Sequence, residues 1–176
     1  RLRGAGIIGF RPWKMPMMDA LTDSNLRGAA AFQQLHWFAS GRIDAAHLTH
    51  AYAAAIAREN PRLNAYLALD PRMEEQAAAS DARRRSGGTI GRLDGLAVAI
   101  KDNIDVSGLP TTAGLPTRRA HVAPADASVV ARLRAAGAVI LGKTVTCEFA
   151  RVTAGATTNP HDETRTPGGS SSGSAA

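Results

Sequence analysis

Apolar residues recur at helical spacing from Leu26 to Phe38, through Ala29, Ala30, Phe32 and Leu35, and stop at Ser40 and Gly41. That pattern predicts one amphipathic helix. Asp44 is placed to cap a second helix, whose face includes Leu48, Tyr52, Ala55 and Ile56 and which ends at Asn60 and Pro61. The short alternating stretch from Leu63 to Leu69 reads as a strand. Pro71 opens a third helix that runs through about Arg84 and is closed by Ser86, Gly87 and Gly88. After those glycines the texture changes. Leu96 to Ile100 is a continuous apolar run, the pattern of a strand covered on both faces, and Lys101 follows at once. Ala127 to Ala136 predicts a helix with Val129, Val130 and Leu133 inward, and Gly137 separates it from a second buried strand, Ala138 to Leu141. Strand, loop, helix, strand is the order of an α/β fold. From Arg151 to Ala176 no hydrophobic period remains, and a loop of that length within a compact domain is usually functional.

Composition narrows the function classes. Aromatics make up only 5% of the chain, so the core has to be built from Ala, Leu, Val and Ile, which favours close-packed helices on a sheet. No stretch approaches the ~20 apolar residues of a membrane span, because Ala51 to Ala57 is cut off by Arg58 and Glu59. The single Cys147 cannot make an intramolecular disulfide, nor a thiolate zinc site by itself. The net charge of +6 invites a reading as a basic nucleic-acid-binding module with a Gly-Ser linker at its end. However, Arg1, Arg3, Arg11 and Lys14 all precede the first acidic residue, Asp19, and the body of the chain is nearly neutral. The one compact basic run, Arg83 to Arg85, reads as a solvated helix end. The stretch Arg1 to Phe10 has a charged start and an apolar middle, yet it lacks a small-x-small cleavage site and runs straight into Arg11, Pro12 and Trp13.

Gly137, Gly142, Lys143 and Thr144 match the letters of a phosphate-binding loop, but the context contradicts them. A helix precedes Gly137, and Ala138 to Leu141 between the glycines is a rigid strand that cannot curl its N–H groups around a phosphate. Lys143 is therefore given a structural or surface role. Lys101 stands out because the chain has only three lysines among 21 basic residues. At the end of a buried strand its ammonium would be desolvated, which favours the neutral form that a general base needs. The alternative is a surface pair with Asp102 or Asp105. The run Gly168 to Ser174 is either a flexible linker or a loop whose hydroxyls carry a proton relay. A Cys147 nucleophile with His161 as its base is outweighed by a half-buried structural cysteine. His36, His47, His50, His121 and His161 show no metal-ligand spacing, so neither a metal nor a cofactor is implied.

Several blocks then occur in order: Gly95 to Asn103, Thr111 to Gly114, Gly137 to Thr144, Glu148 to Ala150, Thr158 to Pro160 and Gly168 to Ala176. Together they resemble the amidase signature family. The resemblance implies N-terminal helices followed by the start of a mixed β-sheet covered by helices. It divides the chain into a non-native or disordered leader (1–17), an N-terminal helical region (18–91) and the first part of the family core (92–176), incomplete at its C-terminus. It implies a Ser, cis-Ser, Lys triad acting on a carboxylic amide, with Lys101 as the catalytic lysine and Ser170 as the bridging serine. The Gly169–Ser170 peptide is cis on the same ground, and Gly169 and Ser171 belong to the supporting loop. The nucleophilic serine lies downstream in the family, and Ser171, Ser172 and Ser174 are too close to Ser170 to take its place. The 176 residues alone are thus expected to be inactive. The implied partners are a small-molecule amide and a second copy of the chain, or the other subunits of a tRNA-dependent amidotransferase, with tRNA met only indirectly. A cytoplasmic location and no membrane contact complete the expectation.

Overall fold

A computed structural model describes residues 21–151 and 153–176; the leader expected at 1–17 lies outside them. The chain begins with helices α1 (Asp23–Gly28), α2 (Ala31–Ala39) and α3 (Ala45–Leu63). Strand β1 (Tyr66–Leu69) and helix α4 (Met73–Arg85) follow, then β2 (Ala97–Lys101), α5 (Ser128–Ala135), β3 (Val139–Thr144) and a last short helix, α6 (Ser172–Ala175).

The single helix expected over Leu26 to Phe38 is broken in two. Gly28 is a poor helix former, Ala29 and Ala30 are extended, and the buried Gln34 amide donates to the Leu26 and Ala29 carbonyls that the break leaves free. Leu26, Trp37 and Phe38 reach the core, whereas Phe32, expected on the same face, is 64% exposed. Asp44 caps α3 as expected, its carboxylate accepting the His47 N–H at 2.6 Å. The helix continues past Pro61 to Leu63, where Asn64 closes it in the left-handed conformation and returns its N–H to the Asn60 carbonyl. The strand therefore starts at Tyr66 rather than Leu63. In α5, Val130 is fully buried but Val129 is half exposed, against the expectation that both face inward.

The sheet is mixed, in the order β1-β3-β2, with β1 antiparallel and β2 parallel to the central β3. Cover on both faces holds for β3, all six of whose residues are buried; among the described residues β2 lies at the edge of the sheet, and only Ile100 in it is buried. Gly142 pairs with Leu69 in the β1 ladder and follows the irregularity in the β2 ladder, where Leu141 is the extra residue. A Cβ on Gly142 would fall on the Ala68 carbonyl oxygen, so the glycine of the phosphate-loop lookalike serves close strand approach. Val139 packs with Leu26, Trp37, Phe38, Ile43, Leu48 and Ala77 on one side. Ile140 packs with Ile100, Val106, Leu109 and Val130 on the other.

Buried carboxylates bolt the helices on. Asp81 accepts the Ala45 and Ala46 N–H groups at the start of α3. Asp70 receives Arg72 and Arg134, and Asp94 receives Arg83 at 2.6 Å. The basic run is thus only partly a solvated helix end. Arg83 turns inward to Asp94, Arg84 bonds the Asp94 carbonyl and lies over the Phe38 ring, and Arg85 alone is exposed. Among the described residues no helix is long and apolar enough to cross a membrane.

Candidate active site

β2 and β3 are parallel, so their C-terminal ends lie side by side at one edge of the sheet, where Lys101 pairs in register with Thr144. The chain after β3 runs through Val145, Thr146 and Cys147, and the Gly-Ser segment returns to lie against it. Backbone bonds fix the segment there: Gly173 N–H to the Val145 carbonyl and Cys147 N–H to the Ser170 carbonyl, both at 2.9 Å. Thr146 Oγ1 lies 3.1 Å from the same Ser170 carbonyl, and the Thr144 and Ser174 hydroxyls meet at 2.9 Å. A Cβ at Gly173 would collide with the Ala65 carbonyl. The segment is a fitted loop, which removes the linker alternative.

Within this loop the Gly169–Ser170 peptide is cis. A Cβ on Gly169 would lie 2.7 Å from Cys147 Sγ, so the buried thiol fills the space that a larger residue would need. Cys147 is buried rather than half-buried as expected. His161 stands exposed in the Asn159–Asp162 turn, where its backbone N–H donates to Asn159 Oδ1 at 2.9 Å.

Ser170 Oγ accepts a hydrogen bond from Lys101 Nζ at 2.7 Å, across 69 residues of chain. Lys101 does not take the surface pair with Asp102 or Asp105. Asp102, one residue on, is buried and faces Lys143 Nζ at 3.2 Å. The hydroxyl of Ser172 points at the Val145 carbonyl and that of Ser174 at Thr144, so both are turned away from the pair. Ser171 occupies the N-cap of α6, where its carbonyl accepts the Ser174 and Ala175 N–H groups. Beside Ser170 opens a cleft of about 500 Å3 lined by Cys147, Ala150, Arg151, Ala154, Thr166 and the Gly168–Gly169 pair.

Sequence reasoning placed Lys143 at a strand end with a structural or surface role; the surface half of that reading is overturned. Its side chain is fully buried, with Nζ 2.8 Å from the Pro110 carbonyl and 2.9 Å from Thr111 Oγ1. Burial pushes this ammonium below the usual lysine range, against the opposing pull of Asp102. The overlooked signal was a charged residue only one glycine beyond the apolar run Val139 to Leu141, inside the same strand.

A lysine and a serine at hydrogen-bonding distance form a two-step proton path: once neutral, the amine accepts the Ser170 proton while the Ser170 oxygen accepts one from a third group. Most of the chain resembles known proteins. The family model Amidase matches residues 47–176. The glutamyl-tRNA(Gln) amidotransferase A subunit of Chloroflexus aurantiacus is 46% identical over 145 residues, 78% of this chain and 30% of that protein. Its namesake from Symbiobacterium thermophilum is 42% identical over 147 residues, again covering 30% of its length. Native peptide amidase from Stenotrophomonas maltophilia superposes with a TM-score of 0.78 at 37% identity, over 84% of this chain and 33% of that one. The chain spans about a third of the length of the relatives it matches.

Proposed function

The chain belongs to the amidase family, and from that premise we propose that Lys101 and Ser170 are the lysine and bridging serine of a Ser, cis-Ser, Lys triad that cleaves a carboxylic amide. The observation that carries the reading is the 2.7 Å contact from Lys101 Nζ to Ser170 Oγ on a loop fixed by its own backbone. Neutral Lys101 takes the Ser170 proton as Ser170 takes that of the attacking serine, whose oxygen forms an acyl-enzyme with the amide carbonyl. The reverse relay protonates the leaving amine, and water then releases the acid. The attacking serine and the oxyanion donors are supplied from outside residues 1–176. Loss of such a donor alone costs ~3 to 4 kcal/mol of transition-state stabilisation, so these 176 residues by themselves turn over no amide. In the full-length protein, Lys101→Ala and Ser170→Ala are each expected to lower amide turnover by orders of magnitude without changing the melting temperature. Normal turnover in either variant rejects the triad.

The 46% identity to an amidotransferase component favours a second reading, in which the same relay releases ammonia for a glutamyl-tRNA(Gln) amidotransferase. The first reading requires only a small amide, with a second copy of the chain as its partner. The second requires the other amidotransferase subunits. Amide turnover by the purified full-length protein alone supports the first; turnover that appears only with added subunits and glutamyl-tRNA supports the second.

A further inference from the structure

Asp102 and Lys143 form an ion pair at 3.2 Å in which neither side chain is more than 1% exposed. A buried pair of this kind adds little stability over apolar residues of the same volume, so its use lies in what it orients. Lys143 binds the Pro110 carbonyl and the Thr111 hydroxyl, while Asp102 Oδ2 accepts both the N–H and the hydroxyl of Thr112. The Ala113 N–H adds a bond to the Asp102 carbonyl. The loop from Pro110 to Gly114 is thereby fixed to the end of β2.

The same loop holds the other partner of the site. Ala113 accepts the Phe149 N–H at 2.8 Å, and a Cβ at Gly114 would lie 2.9 Å from the Cys147 carbonyl. Cys147 in turn donates its N–H to the Ser170 carbonyl. The contacts close a ring that runs from Lys101 through the peptide bond to Asp102, across to Thr112 and Ala113, on to Phe149 and Cys147, then to Ser170 and back to Lys101 Nζ. Ala113, Phe149 and Ala150 all take positive φ, which non-glycine residues hold only when their surroundings over-determine them.

We infer that Asp102, Lys143 and Thr112 are positioning residues that set the Lys101–Ser170 distance through this ring. The inference rests on the reading of Lys101 and Ser170 as the proton relay. Its test is the paired variant Asp102→Asn/Lys143→Met, which removes both charges together, alongside Thr112→Val and its conservative counterpart Thr112→Ser, all in the full-length protein. With an amide substrate, the paired variant is expected to lose kcat by about tenfold or more at unchanged KM, since small misplacement of reacting groups costs up to ~10²-fold. Thr112→Val is expected to lose kcat several-fold, and Thr112→Ser to restore it. Melting curves read folding separately. A folded paired variant with wild-type kcat, or Thr112→Val and Thr112→Ser that behave alike, overturns the inference; if the paired variant does not fold, the Thr112 pair decides. Lys101→Ala, measured beside them, separates the two failures. Its loss of turnover with the ring variants intact rejects the ring alone, and its normal turnover rejects the relay itself.

Discussion

Replacing Asp94 by Asn isolates one buried charge at the end of the sheet away from the cleft. Asp94 is fully buried and accepts Arg83 through both oxygens, at 2.6 and 3.2 Å, and the Ile90 N–H at 3.2 Å. Burial pushes its carboxyl up, but the hydrogen bonds from Arg83 and Ile90 outweigh that and leave it below the ordinary 3.8. Asparagine keeps the shape and one acceptor, and turns an NH2 toward a guanidinium that can only donate. One charge-assisted bond is lost, a contribution of about 1.5–3 kcal/mol. Arg83 is 30% exposed and recovers part of this from water, which places the loss near the lower end. For a domain of this size about 2 kcal/mol corresponds to a fall in Tm of roughly 4–8 °C. The assay is thermal unfolding by circular dichroism at neutral pH and at successively lower pH. A carboxyl depressed in the fold contributes stability above its unfolded pKa of 3.8 and loses it as pH falls through the lower folded value. The gap between the wild type and Asp94→Asn is therefore wide at neutral pH and closes below 3.8. The other carboxylates titrate alike in both proteins and cancel. A gap that persists undiminished in acid, or no gap at neutral pH, refutes the account.

Three further outcomes are expected. Lys101→Arg in the full-length protein abolishes amide turnover as fully as Lys101→Ala, because a guanidinium stays protonated; near-normal rates would show that Lys101 acts as a fixed charge. Gly142→Ala drives a methyl into the Ala68 carbonyl and lowers the urea midpoint by an amount equivalent to about 3 kcal/mol or more, with the β1 amides losing hydrogen-exchange protection before those of β2. Burial pushes the Tyr66 phenol up to about 12 from 10.0, so the fold favours its neutral form and loses stability as pH rises from 10 through 12. In a Tyr52→Phe background the tyrosinate absorbance reports this ionisation directly, and Tyr66→Phe flattens the alkaline loss.

Helices and strands were legible where a local rule governs them. Asp44 capped α3 because an N-cap needs only its own carboxylate and a free N–H. The strand after Gly137 was visible as an unbroken apolar run and proved to be the central strand. Local rules failed where a distant partner decided the outcome. The break at Gly28 is satisfied by Gln34, whose inward direction no spacing reveals, and the cover of β2 depends on which strand takes the centre of the sheet. Within the site, the order of blocks singled out Lys101 and Ser170, but the alternative partners of Lys101 remained open on residues alone. Strand alternation carries part of the answer: consecutive side chains point to opposite faces, so Lys101 and Asp102 look away from each other. What Asp102 meets there is Lys143, far along the chain, and nothing in the linear pattern ties the two.

Parallel pairing of β2 with β3 gives the sheet two unlike edges. The C-terminal ends carry Lys101, the Val145–Cys147 strip and the Gly-Ser loop, while the N-terminal ends carry Asp94 and Gly137, whose Cβ would meet the Asp94 backbone at 2.6 Å. The strands between them put the two edges about 13–16 Å apart, at ~3.3 Å per residue. Substitutions separated by more than about 10 Å combine additively when they share no partner. Thermostabilising changes can therefore be accumulated at the N-terminal edge, around Asp94 and the turn from Ser86 to Gly91, without retuning the relay. At the C-terminal edge the same volume changes propagate around the closed ring, and each candidate there has to be judged together with its neighbours.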